Sequence, residues 1–272
     1  MKRIHLVELE DLPWFPGILR DGGTSYLALA LRVSGHAKLL APKLGEALRA
    51  TGSTEIIDLC SGGGGPVGIL SEALAADGNP VKIRLTDFYP NVPALRHTAE
   101  GSGGRITFEA TPVDATAVPA SLTGFRTIFN AFHHFRPDAA RRILADAAAA
   151  RRPIGVFEVV SREALPLFAM LTAPLVVMLT MPFWRPFRWQ WILWTWLVPV
   201  MPLFVLWDGI VSWLRVYDED ELRALVAGID APDYAWEIGR IKLGDAPAHA
   251  TWLIGRPLAP AGAVTASAGT SG

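Results

Sequence analysis

The chain has 272 residues, 51% apolar and 19% charged, with 25 basic and 26 acidic side chains and a net charge of −1. So balanced a charge provides no basic field for a polyanion, which argues against nucleic acid as a partner. A single cysteine, Cys60, excludes an intrachain disulfide framework and a multi-cysteine zinc site, and the mean hydropathy of +0.29 is high for a soluble protein.

In chain order, the N-terminus has no apolar run long enough for a signal peptide. Residues 1–50 carry Trp14, Arg20, Tyr26 and His36 and read as a helical segment preceding a sheet. A strand is predicted over 55–59, then a glycine loop over 61–65 and a helix over 67–76. Further strands are expected over 81–86, 105–109, 126–130 and 154–160. Helices over 90–100 and 137–150 lie between them, the latter opening on Pro-Asp. Asp218-x-x-Glu221 reads as a capping box for a helix through 226, and 234–243 with 250–255 as a closing antiparallel pair. The alternation predicts an α/β fold, a doubly wound sheet covered by helices.

An apolar insert interrupts this pattern. Residues 164–184 and 189–207 contain no charge, and Arg185-Pro186-Phe187-Arg188 separates them. Seven of the ten tryptophans fall between 184 and 213. At roughly 1.5 Å per residue each run covers about 30 Å as a helix. We read the pair as a membrane-associated helical hairpin, either transmembrane or re-entrant, with the lipid bilayer as a partner and the remaining domain on the cytoplasmic side. A buried helical pair or an oligomer interface is the alternative. Pro166, Pro174, Pro182, Pro199 and Pro202 predict kinks. The organisation is thus 1–50 lid segment, 51–163 α/β core, 164–214 hairpin, 215–258 completion of the core, and 259–272 a low-complexity tail expected to be disordered. The oligomeric state is left open.

The richest chemistry lies in Ile56-Ile57-Asp58-Leu59-Cys60-Ser61-Gly62-Gly63-Gly64-Gly65. Missing Cβ atoms let a ligand approach the backbone, and the following helix offers free N–H donors. Gly63-x-Gly65-x-x-Gly68 also fits a dinucleotide pattern, which keeps a nicotinamide-dependent reductase as an alternative. Asp58 ahead of the glycines would repel a pyrophosphate but tolerate a cationic amino-acid moiety. Asp87, ending the second strand, suits a ribose, and Asp114, after the third, suits an amino-substituted base.

Asp58 through Gly64 resembles the first motif of class I S-adenosylmethionine-dependent methyltransferases. Leu85-Thr86-Asp87 is similar to the second, Pro112 through Thr116 to the acidic stretch near the adenine, and Thr127 through Phe135 to the fourth strand and the residues facing methyl donor and acceptor. Cys60 departs from the family's usual glycine. The resemblance implies a seven-stranded Rossmann-like sheet and S-adenosyl-L-methionine as cofactor. The methionine end would lie over Ser61, Gly62 and Gly64, beside Asp58. Asp87 would hold the ribose, Phe88 would pack on the adenine, and Asp114 with Ala115 would border its amino group. Asn130 would lie near the sulfonium.

His133 and His134, just past the fourth strand, are the expected catalytic bases, since an imidazole titrates near neutrality. Tyr26, Glu158 and Arg162 are expected to bind substrate, with a Glu158–Arg162 ion pair as the plainer role for the latter two. Arg20 is placed to meet the methionine carboxylate. No metal cluster is apparent. Because the hairpin follows strand five, at the sheet edge where α/β folds bind ligands, the expected activity is methylation of a lipophilic small molecule or lipid. The alternatives are an anchored methyltransferase of a soluble metabolite and a non-catalytic membrane scaffold.

Overall fold

A computed structural model of the chain describes residues 2–258; the expected disordered tail lies outside them. Two helices, α1 (Gly17–Ser34) and α2 (His36–Thr51), precede the sheet. The strands are β1 (Glu55–Leu59), β2 (Lys82–Leu85), β3 (Ile106–Phe108), β4 (Phe125–Phe129), β5 (Ile154–Glu158), β6 (Tyr234–Lys242) and β7 (His249–Pro257). Their order is β3-β2-β1-β4-β5-β7-β6. The first five are parallel, and β7 enters antiparallel between β5 and β6, as the closing-pair expectation required.

Helices α3 (Val67–Ala76), α4 (Val92–Glu100) and α5 (Pro137–Ala149) connect the parallel strands, and α9 (Glu219–Ala227) follows the insert. Every residue of β5 is buried, as the apolar run Ile154–Phe157 demands of a strand covered on both faces. On one face α2 sets Leu40, Leu44 and Leu48 four residues apart, all buried against α3 and β1. Burial of each contributes about 1.5–3 kcal/mol. On the other face α5 and α9 cover Ile57, Ile128 and Val156. The capping box is formed: Asp218 accepts from the Glu221 N–H, and Glu221 returns to the Asp218 N–H, both at 2.9 Å.

The insert begins as expected and then departs. Helix α6 (Ala164–Thr180) continues through a 3-10 turn to Phe183. The second apolar run is two pieces. Helix α7 (Gln190–Ile192) passes into a π-helical turn (Leu193–Leu197), and after a 77° bend α8 (Val200–Arg215) follows. Pro199 and Pro202, which lack helix-donor N–H groups, sit at that bend. Helices α6 and α8 pack closely where Gly209 meets Met170.

A shared core joins the insert to α1. Gly22 and Gly23 lie so near Met201 and Phe204 that a Cβ would stand 2.2 and 2.8 Å from them, and the Trp191 indole N–H donates to the Ile18 carbonyl at 2.9 Å. Arg188, between the two apolar runs, pairs with Asp21 of α1 at 2.7 Å. The outer face stays bare. Only 17% of the Ala164–Phe183 apolar window is buried, and Phe168, Leu171, Leu175, Leu179 and Phe183 are exposed. By length and composition this one helix could cross a membrane, or two could if the bent pair counts as one span.

Candidate active site

Backbone conformation builds the turn after β1. Cys60, Gly62 and Gly64 have φ of 59°, 55° and 83°. Glycine enters that region freely, whereas Cys60 holds it against its own side chain, so the chain keeps the turn despite the departure in sequence. A Cβ on Gly64 would also lie 2.6 Å from the Thr98 hydroxyl of α4.

Beneath the turn, buried Asp58 accepts hydrogen bonds from Thr127 and Ser61, each at 2.7 Å. Burial nevertheless pushes its carboxyl up to about 7, with the nearby Asp87 charge adding to the rise. Asp87 ties two turns together: one oxygen accepts from the Gly62 N–H and the other from the Tyr89 N–H, both at 2.7 Å. The Val113 N–H donates to the Asp87 carbonyl at 2.9 Å, which brings exposed Asp114 to the same rim. There Asp114 accepts from the Thr116 N–H and hydroxyl at 2.8 Å. Phe88 is 50% exposed on that rim, while Ala115 is buried in the core behind it. Asn130, at φ 51°, uses its side-chain oxygen to accept from the Val159 N–H at 2.7 Å, locking the ends of β4 and β5 together. Helix α1 roofs the turn: a Cβ on Gly62 or Gly63 would lie 3.5 Å from Thr24.

A second group forms past β4. His133 is 3% exposed; its Nδ1 lies 2.8 Å from Glu158, which also accepts the His133 N–H at 3.1 Å. Glu158 therefore does not pair with Arg162. That guanidinium binds Asp218 and Glu221 instead, because the α9 cap concentrates two carboxylates beside it. His134 meets Asp11 at 2.8 Å and Glu8 at 3.1 Å. Although burial opposes its charge, these carboxylates and Glu10 push the imidazole up to about 10. These contacts favour the protonated ring and make His134 a charge partner of Asp11 and Glu8.

Two further expectations change. Arg20 donates to the Glu10 and Leu12 carbonyls and stacks over Tyr89, so it is committed to the N-terminal segment. Tyr26 packs in the core shared with the insert, its ring 6.0 Å from Trp184. Reading the sequence missed Glu8, which is fully buried and 3.2 Å from Arg215. It also missed Asp208, which accepts the Leu9 and Glu10 N–H groups at 2.8 and 3.0 Å. Asp208 had a signal: it is the lone charge between Trp189 and Leu214, and an isolated acid in an apolar helix marks a buried polar contact. Nothing local distinguishes Glu8 from Glu10.

No protein-family profile and no curated protein matches the sequence. Among solved structures, the plantazolicin methyltransferase BpumL in complex with SAH is 12% identical, with a TM-score of 0.53, over 88% of this chain and 95% of that one. Its complex with a monoazolic desmethylPZN analog and SAH also has a TM-score of 0.53 at 12% identity, over 92% and 96%. The mitomycin 7-O-methyltransferase MmcR is 16% identical with a TM-score of 0.48, over 82% of this chain and 54% of that one, so this chain spans about half its length. The strand order and the likeness to BpumL give the chain the Rossmann-like fold of class I methyltransferases.

Proposed function

We propose that the protein is an S-adenosylmethionine-dependent methyltransferase that works at a membrane surface on a lipophilic small molecule or lipid. One observation carries the reading. The carboxylate-rimmed glycine turn and the His133–Glu158 pair share the carboxyl edge of the parallel sheet, and α1 bridges that turn to a helical pair with a bare apolar face. SAH in the BpumL complexes, on the same fold, adds support.

The residues present fit the cofactor. Gly62, at φ 55°, keeps its nearest side chain, Thr24, 3.5 Å from where a Cβ would stand, and Asp58 beneath the turn suits a cationic amino-acid end. Asp87 suits a ribose, and exposed Phe88 and Asp114 offer a flat apolar surface and an acceptor for an amino-purine. When bound, the cofactor supplies an electrophilic methyl group on a sulfonium. The chain's own work is alignment and exclusion of water. Thr24 and α1 close the turn from above. Glu158 fixes the His133 ring by holding Nδ1 at 2.8 Å, and Nε2 faces Glu8 at 3.8 Å; beside the carboxyl end of β4, His133 is the imidazole we assign to the acceptor side.

The membrane reading rests on exposure. A core helix would be mostly buried, whereas the α6 window is 17% buried and its outer row is leucine and phenylalanine. The Arg188–Asp21 pair holds the hairpin tip against α1, and the second run bends by 77°. Both favour a hairpin lying within one leaflet over one that carries the tip across the bilayer. Titration calorimetry with S-adenosylmethionine and with SAH tests the cofactor: heat from both is expected, and its absence from both would refute the methyltransferase reading. Flotation with phospholipid vesicles tests the surface.

A further inference from the structure

The side chains past β4 gather more donor atoms than methyl transfer needs. Suitable ligand atoms of Glu8, His133 and His134 all lie within 4.8 Å of one another. We propose that these three residues bind a divalent transition-metal ion, which ties the N-terminal segment to the acceptor end of the sheet. The proposal rests on the reading above for the identity of that end, and gives His133 the role of ligand rather than base when the ion is present.

Three features point to an ion. First, the Glu8 side chain is fully buried; its Oε1 accepts from the Ser212 hydroxyl at 3.1 Å and faces Arg215 at 3.2 Å, whereas Oε2 makes no hydrogen bond and has only the His134 ring beside it, a deficit that a metal ion would satisfy. Second, His133 is arranged as metal-binding histidines are: Nδ1 faces a carboxylate, Glu158, at 2.8 Å, which leaves the Nε2 lone pair toward Glu8. Third, the spacing suits coordination. Glu8 Oε2 lies 3.1 Å from His134 Nδ1, and Glu8 Oε1 lies 3.8 Å from His133 Nε2. Bonds of about 2.1 Å place neighbouring ligands about 3.0–3.5 Å apart, a range that the Glu8–His134 contact meets and that His133, 3.8 Å from the other Glu8 oxygen, reaches by a shift of a few tenths of an ångström. The His134 Nδ1 proton cannot serve both neighbours, Asp11 at 2.8 Å and Glu8; a metal replacing that proton meets Glu8 as well.

The adjoining trio of Glu8, Glu10 and Asp208 has no such need. Both Asp208 oxygens already accept backbone N–H groups, so Asp208 serves as a clamp on the chain. Two imidazoles and one carboxylate suit zinc, iron(II) or cobalt(II) better than magnesium or calcium.

Cobalt(II) is the probe, added to the full chain in detergent micelles after chelator treatment and followed by its visible absorption and by metal analysis. One cobalt per chain is expected, displaced by zinc. Glu8→Gln and His134→Asn should abolish the band, Glu158→Gln should weaken binding about tenfold through the outer partner, and His249→Asn should leave it unchanged. Absence of a stoichiometric band, or a band that survives Glu8→Gln and His134→Asn, overturns the proposal. Thermal unfolding of the same samples in detergent confirms that the variants fold. Calorimetry with S-adenosylmethionine separates the two readings: cofactor heat without cobalt binding removes the metal site alone, and cobalt binding without cofactor heat removes the methyltransferase alone.

Discussion

Strand β5 and helix α6 follow one another in the chain and both open on apolar runs, yet they end in opposite surroundings. Every residue of β5 is buried between helices, whereas most of α6 faces outward. Hydropathy states a need, and topology decides how it is met. The sheet meets it internally, by covering both faces. The insert has one face to give to α1 and to its own second half, and the rest requires an apolar surrounding.

The largest effect should come from the sheet side. Asp87→Ala removes the acceptor for Gly62 N–H and Tyr89 N–H together with the expected ribose partner. Calorimetry should show S-adenosylmethionine affinity falling by about 100-fold or more, the loss of roughly 3 kcal/mol for charge-assisted hydrogen bonds. Vesicle binding should not change. The converse variant, Leu179→Asp, alters one exposed position on the outer face of α6. An aspartate in a bilayer costs about 2.5–3.5 kcal/mol, so flotation should drop by about 100-fold, while the melting temperature in detergent and the cofactor affinity hold. If both variants damaged both properties, the two regions would not be separable.

A smaller effect probes their junction. A Cβ at Gly23 would meet the Phe204 ring at 2.8 Å. Gly23→Ala should destabilise the chain by about 1–3 kcal/mol through overpacking, measured by thermal or denaturant unfolding in detergent. The smallest concerns pH. Asp58 has its carboxyl raised to about 7 by burial, so the folded chain binds that proton more tightly than the unfolded chain. Its contribution to stability is therefore greatest at acid pH and declines as pH rises from about 4 through 7. Binding of a cationic ligand should show the opposite trend, tightening up to about tenfold per pH unit until Asp58 is ionised near 7. Asp58→Asn should flatten both curves.

Local pattern made much of this legible. The glycine turn, Asp87, Asp114 and the Asp218–Glu221 box are read from neighbours in sequence, because turn geometry and capping are set within a few residues. The β/α alternation gave the parallel sheet and its antiparallel closing pair, while the order of the strands came from the structure. Long-range contacts were not legible: Glu8 reaches Arg215 and His134 across more than 100 positions, and Arg162 turns to the α9 cap instead of its near neighbour Glu158. The bend after Leu197 was foreshadowed by its prolines, but its 77° angle depends on packing against α1.

The central claim is that a methyl donor seated at the glycine turn serves an acceptor delivered from lipid. Its most direct test incubates the full chain with membranes and isotopically labelled S-adenosylmethionine, then measures label in the organic extract. The account predicts chain-dependent label in that phase, lost with Asp87→Ala. Label confined to water-soluble products, or no transfer at all, would contradict it.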